Sequence, residues 1–273
     1  MGKSQLARAV AKALGRVLRR HTVDAKTETR DLLYTIDHVA RLAEAQVQGA
    51  LSPKPDELRK QLHMSRFVTP GPLWWAFNWG EAQKHIDEHE CGEDATVCEE
   101  GCKLDNGCVV LIDEIDKADA TVPNGLLEAL GQGWFSVPDV GLVKKSSEHR
   151  TLVIITTNEE RVLPDAFLRR CMVLHLDWPE DEKVQSFLQS RGRAHFPNES
   201  IDVLNLAVEM LVTERAHAKK SNLPPPGVAE YIDLLNVAFT MREGDIDGQK
   251  ALLEAVKPYA LNKNRVRKGR GAG

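Results

Sequence analysis

Apolar positions between Gln5 and Leu14 recur at every fourth residue, Leu6, Val10 and Leu14, with alanines between them and Gly15 directly after. That spacing predicts an amphipathic helix with a glycine stop. Leu32 to Gln48 predicts a second helix, with Leu33, Ile36, Val39, Ala40 and Leu42 on one face. Thr69-Pro70-Gly71-Pro72 then punctuates the chain, and Leu73 to Trp79 gathers three tryptophans and a phenylalanine, the composition of a packing knot.

The pattern changes at Cys108. Cys108–Ile112, Leu152–Ile155 and Met172–Leu176 are short, mainly apolar runs with β-branched residues. Separated by helical patterns, they predict buried parallel strands. Each ends in polar residues: Asp113-Glu114, Thr156-Thr157-Asn158, and Asp177 before Trp178-Pro179. Open α/β sheets carry their sites at such carboxyl ends. Trp134–Pro138 and Gly141–Val143 flank Asp139-Val140 as a hairpin would. Beyond Pro179 the stretches Val184–Leu188, Ile201–Val212, Val228–Phe239 and Leu252–Ala260 are all helical in period. The expected organisation is an α/β nucleotide-binding domain over 1–178, a helical lid domain over 179–260, and a basic flexible tail over 261–273.

Composition narrows the function. With 42% hydrophobic and 28% charged residues the chain reads as globular, and no apolar run is long enough for a membrane span. Met1-Gly2-Lys3-Ser4-Gln5 lacks the apolar core of a secretory signal, so a cytoplasmic location is expected. Thirty-six basic against 40 acidic residues give a net charge of −4, with no basic stripe outside the tail, which argues against a nucleic-acid partner. Five cysteines without an export signal read as reduced thiols.

Gly2-Lys3-Ser4 opens the first predicted helix. Helix N-terminal N–H groups and the macrodipole attract phosphate. A lysine there reaches the β- and γ-phosphates, and a serine hydroxyl ligates Mg²⁺. Val109–Ile112 delivers Asp113 and Glu114 to a strand end, where Asp113 suits Mg²⁺ and Glu114 suits activation of the attacking water. Asn158, at the end of the next strand, carries an amide able to hold that water.

The segments GKSQLARAVAKALG, VVLIDEIDKADATVPNGLLEAL and TLVIITTNEERVLPDAFLRRC, with the helical stretches after them, resemble an AAA+ ATPase of the MoxR-like branch. The resemblance implies a P-loop NTPase fold, with a parallel sheet flanked by helices and a small all-helical lid. Gly2, Lys3, Ser4 and Asp113 would bind ATP and Mg²⁺, with Ser4 and Asp113 as the metal ligands and Glu114 as the catalytic base. Asn158 would be sensor 1, and Arg169-Arg170 would supply the arginine finger, Arg170 being the better aligned. The 134–143 hairpin would be the branch's insertion before sensor 1. A homo-oligomeric ring, expected to be hexameric, would remodel a protein partner in a chaperone-like manner, and in this branch that partner is often a von Willebrand factor A domain protein. The alternatives are a degenerate, non-hydrolysing scaffold subunit and, further off, a nucleic-acid-associated motor.

Two features depart from the family. The strand and most of the phosphate loop that should precede Gly2 are not in this sequence, for which a start codon assigned too late is the expected explanation. The sensor 2 arginine is replaced within Pro224–Glu230, leaving Lys219 or Lys220 as substitutes.

His85, His89, Cys91, Cys98 and Cys102 lie in an acidic stretch before the Asp113 strand. Cys98-x₃-Cys102 fits half a zinc site, with Cys91 and His89 or His85 to complete it. A second tight pair is missing and acidic residues surround the set, so zinc is not expected. Cys108 and Cys171 are expected to be buried small hydrophobes.

Overall fold

A computed structural model of the chain describes residues 2–51, 54–91, 101–147 and 151–261. The chain divides into two compact units, Gly2–Leu174 and the residues from His175 onward.

The first unit runs α1 (Lys3–Ala13), β1 (Val17–Thr22), α2 (Thr29–Leu33), β2 (Tyr34–Ile36), α3 (His38–Leu51), α4 (Pro55–Gln61), β3 (Val68–Pro70), α5 (Pro72–His89), β4 (Cys108–Asp113), α6 (Thr121–Gln132), β5 (Trp134–Val137), β6 (Gly141–Lys144), β7 (Leu152–Ile155) and α7 (Asp165–Leu168). Its main sheet is parallel, in the order β1-β4-β7. All six residues of β4 are buried, as the unbroken Cys-Val-Val-Leu-Ile-Asp run requires of a central strand. Val110 and Ile112 enter a core built with Trp74, Phe77, Leu126 and Val17, and α1 packs against β4 and β1. Full burial of each such side chain is worth about 1.5–3 kcal/mol. Of the packing knot expected over Leu73–Trp79, Leu73–Phe77 is buried throughout at the start of α5, and Trp79 is partly buried. The expected hairpin forms as β5 paired antiparallel with β6.

Several expectations are corrected. The helix expected over Leu32–Gln48 is two helices separated by β2, because Tyr34–Ile36 pairs antiparallel with Val68–Pro70. Val39 and Leu42, expected on its one apolar face, are 80% and 62% exposed. In α1 the buried positions are Ala7 and Ala11, while Leu6 and Leu14 are exposed: the small residues allow close approach to the sheet, and the helix turns that face inward. Met172–Leu176 forms no strand. An extended run gains ladder bonds only beside another strand, and β7, the neighbour available within the sheet, pairs only with β4 among the described residues. Met172, Val173 and Leu174 are accordingly exposed, as is Cys171, whereas Cys108 is buried. The third parallel strand is β1, which the apolar pattern did not predict.

The second unit is helical: α8 (Asp181–His195), α9 (Ile201–Lys220), α10 (Val228–Met241) and α11 (Ile246–Ala260). Leu188, Leu204, Leu211, Tyr231, Leu235 and Leu253 form its core. Gly192 lets α8 approach α10, since a Cβ there would sit 2.5 Å from the Tyr231 hydroxyl. Asn262–Gly273, the bulk of the expected tail, lies outside the described residues.

Candidate nucleotide site

The carboxyl ends of β4 and β7 and the N-terminus of α1 meet at Asp113. The Ser4 hydroxyl lies 2.8 and 3.1 Å from the two carboxylate oxygens of Asp113. The Thr156 hydroxyl donates to Asp113 Oδ1 at 2.6 Å, and Arg20 on β1 pairs with Oδ2 at 2.7 Å. Burial pushes the Asp113 carboxyl upward, but the bonds from Thr156, Ser4 and Arg20 together outweigh it and hold the group below the usual carboxylate range. Asp113 is therefore an anion at neutral pH, only 5% exposed.

Glu114 leaves the strand in a left-handed conformation, φ 62°, which carries a steric cost for a residue with a Cβ. Its N–H donates to Thr156 Oγ1 at 2.9 Å, so one hydroxyl accepts from Glu114 and donates to Asp113. The Glu114 carboxylate receives Asn158 Nδ2 on Oε1 at 3.2 Å and the Lys117 ammonium on Oε2. That hydrogen bond pushes the Lys117 pKa upward.

Lys3 reaches across from α1 to donate to the Thr157 carbonyl and to Asn158 Oδ1, the latter at 2.6 Å. The Asn158 turn is itself fastened by Asp116, whose Oδ2 accepts from the Asn158 and Glu160 N–H groups at 3.1 and 2.9 Å. Gly2, in a left-handed conformation with φ 80°, precedes α1.

Lys3, Ser4, Asp113, Glu114 and Asn158 thus come together in one hydrogen-bonded cluster, with Gly2 beside it. Arg169 and Arg170 do not join it: both are exposed at the end of α7, and neither guanidinium has a partner among the described residues. Lys219 and Lys220 occupy the exposed last turn of α9 in the second unit. Arg20, Thr156, Asp116 and Lys117 belong to the cluster and were missed. Arg20 and Thr156 meet Asp113 through strand register, which local sequence does not display, while the Asp-Glu-Ile-Asp-Lys run holding Asp116 and Lys117 was itself visible.

The donor set fits Mg²⁺. A carboxylate held ionised and an adjacent hydroxyl are hard oxygen ligands of the kind that ion takes beside substrate phosphates. Among the described residues no group of three or more His, Cys, Asp or Glu side chains gathers for a metal. Of the residues considered for zinc, Cys91 is buried and donates its thiol to the Val68 carbonyl at 3.1 Å, and His85 Nε2 meets the same oxygen at 3.0 Å. Both are occupied in packing, and burial pushes the Cys91 thiol upward, away from the thiolate a metal needs. The His89 ring lies 4.7 Å from that of His85, Cys102 is half-buried, and Cys98 lies outside the described residues.

A parallel sheet that ends in Asp-Glu beside a Lys-Ser helix N-terminus defines a P-loop nucleoside triphosphatase of the AAA+ type, followed here by a helical region. The chain belongs to the AAA domain family, dynein-related subfamily, which matches residues 1–171. Among curated proteins none matches. Solved structures that match include a crystal structure of a Cytophaga hutchinsonii protein described as a "putative ATPase", 14% identical, with 94% of this chain and 73% of that chain covered and a TM-score of 0.37. Among the described residues no helix is long and apolar enough to cross a membrane.

Proposed function

We propose that the chain binds ATP with Mg²⁺ and hydrolyses it at the interfaces between subunits of a cytoplasmic homo-oligomeric ring, hexameric in the manner of MoxR-like AAA+ ATPases. Hydrolysis drives chaperone-like remodelling of a protein partner, for which a von Willebrand factor A domain protein is the leading candidate. The observation that carries the reading is the meeting of Ser4 with Asp113 at 2.8 Å, beside a Glu114–Asn158 pair at 3.2 Å. Residues more than a hundred positions apart converge there on the chemistry of one phosphoanhydride.

In this reading Gly2 and the first N–H groups of α1 receive phosphate oxygens, and Lys3 leaves Thr157 and Asn158 to meet the β- and γ-phosphates. Ser4 and Asp113 would hold the metal ion, which when bound would supply charge neutralisation. Asn158 orients the attacking water, and Glu114 takes its proton. Arg170, with Arg169 beside it, approaches a neighbouring subunit's nucleotide and stabilises the charge on the transferred phosphoryl group; such fingers are worth about 10³–10⁵ in rate.

The test is steady-state ATP turnover by the chain beside Glu114→Gln, with binding of a fluorescent ATP analogue measured on both. Loss of the base is expected to lower kcat by about 10²–10⁴ while binding persists. A Glu114→Gln variant as active as the parent refutes the assigned chemistry. A folded parent that binds ATP and never turns it over, alone or with partner, favours the non-hydrolysing scaffold.

A further inference from the structure

Thr156, the first residue past β7, is bonded to four consecutive residues at the end of β4. Its N–H donates to the Ile112 carbonyl at 2.9 Å, and its carbonyl accepts the Ile115 N–H at 2.9 Å. Between these two backbone bonds the hydroxyl accepts the Glu114 N–H at 2.9 Å and donates to Asp113 Oδ1 at 2.6 Å. The residue is buried, 7% exposed, so water competes little for either bond.

Chemistry fixes the direction of the two hydroxyl bonds. A backbone N–H only donates and an ionised carboxylate only accepts, so the group between them must do both. Valine has nearly the same shape and does neither, whereas serine keeps both functions and loses a methyl group. The consequences differ for the two partners. With Oδ1 held from the β7 side, Oδ2 is the Asp113 oxygen nearer to Ser4, at 2.8 Å against 3.1 Å. Glu114 has a left-handed backbone, φ 62°, unfavourable for a residue with a Cβ, and Thr156 secures its N–H in that turn.

We propose that Thr156 is a positioning residue: its hydroxyl orients the Asp113 carboxylate toward Mg²⁺ and fixes the backbone from which the Glu114 side chain leaves β4. The proposal rests on the nucleotide reading above. A partner standing behind a metal ligand typically contributes about 10–100-fold to metal affinity or activity, which sets the size of the effect.

The experiment compares Thr156→Val and Thr156→Ser with the parent chain. Affinity for a fluorescent ATP analogue is measured in Mg²⁺ and in EDTA, and kcat and KM for ATP alongside. Thr156→Val is expected to weaken binding about tenfold or more in Mg²⁺, to stay within about twofold in EDTA, and to lower kcat about 10–100-fold. Thr156→Ser keeps the hydroxyl and returns both to within about threefold of the parent. Equal binding by Thr156→Val and the parent in Mg²⁺, an equal loss in EDTA, or a serine variant as impaired as the valine overturns the positioning role. Thr156→Ala makes the same comparison if the valine variant does not fold. Failure of both to fold, with Thr156→Ser folded, makes the hydroxyl a structural need and also overturns it.

Failure of the nucleotide reading shows separately, as absence of analogue binding by the parent in either buffer. The positioning role is then judged on hydrogen exchange of the Glu114 amide. Protection lost in Thr156→Val and kept in Thr156→Ser supports it, and protection that does not follow the hydroxyl overturns it.

Discussion

His85 shows how a residue that looks chemical in sequence can be architectural. It is buried in α5, donates from Nε2 to the Val68 carbonyl, and lies 5.1 Å from the Trp74 ring, centroid to centroid. Burial pushes its pKa below the ordinary 6.5, and the bond to Val68 only partly offsets that. His21 on β1 is lowered for the same reason. The sign of the linkage follows: below pH 6.5 the unfolded chain takes up a proton that the folded chain refuses, so stability falls as the pH drops toward the depressed folded values and levels off beneath them. Thermal melts from pH 7.5 downward should therefore show Tm declining once the pH passes about 6.5. His85→Gln, which keeps a donor for Val68 but cannot ionise, should flatten part of that decline. An unchanged slope in the variant would place the titration elsewhere.

Among the elements, legibility followed burial. β4 and β7 were readable because continuous apolar runs this short and rich in β-branched residues fit buried strands. β1 was hidden because its sequence is Val-Leu-Arg-Arg-His-Thr, yet Arg19 lies 7% exposed with its guanidinium 3.8 Å above the Trp75 ring, serving as a hydrophobe with a charged tip. Met172–Leu176 was over-read for the opposite reason: apolar composition marks a capacity for pairing, and the partner decides whether a strand forms. Ser4, Asp113, Glu114 and Asn158 stood out as strand-end and helix-start residues, whereas Arg20 depended on the β1–β4 register. The orientation of α1 was equally illegible, since leucine and alanine stripes alternate around it. Its buried alanine face gives a direct test. Ala7→Leu, at a position with no exposure, should cost about 1–3 kcal/mol by overpacking against the sheet. Leu6→Gln, one residue away and 38% exposed, should stay within about 0.5 kcal/mol. Urea midpoints of the two variants check this, and the reverse order would mean the helix face is assigned wrongly.

For the whole molecule, the proposed mechanism sends Arg170 to a neighbouring subunit's nucleotide. Lys3, Ser4, Glu114 and Asn158 gather around Asp113 without it, and Arg170 stands exposed at the end of α7 with no partner among the described residues. A charged side chain with no internal use fits a head-to-tail ring, where each interface joins two different faces. In such a ring a working site takes Glu114 from one subunit and Arg170 from the next. Arg170→Ala and Glu114→Gln should each be nearly inactive alone. Mixed in equal amounts and allowed to exchange subunits, they should recover about a quarter of parental turnover, since random assembly pairs an intact Glu114 with a neighbour's intact Arg170 at one interface in four. If Arg170 instead serves its own subunit's nucleotide, every subunit in the mixture lacks one group and no activity returns. Sedimentation of the mixture in the presence of ATP ensures that a null result reflects the site rather than a failure to assemble.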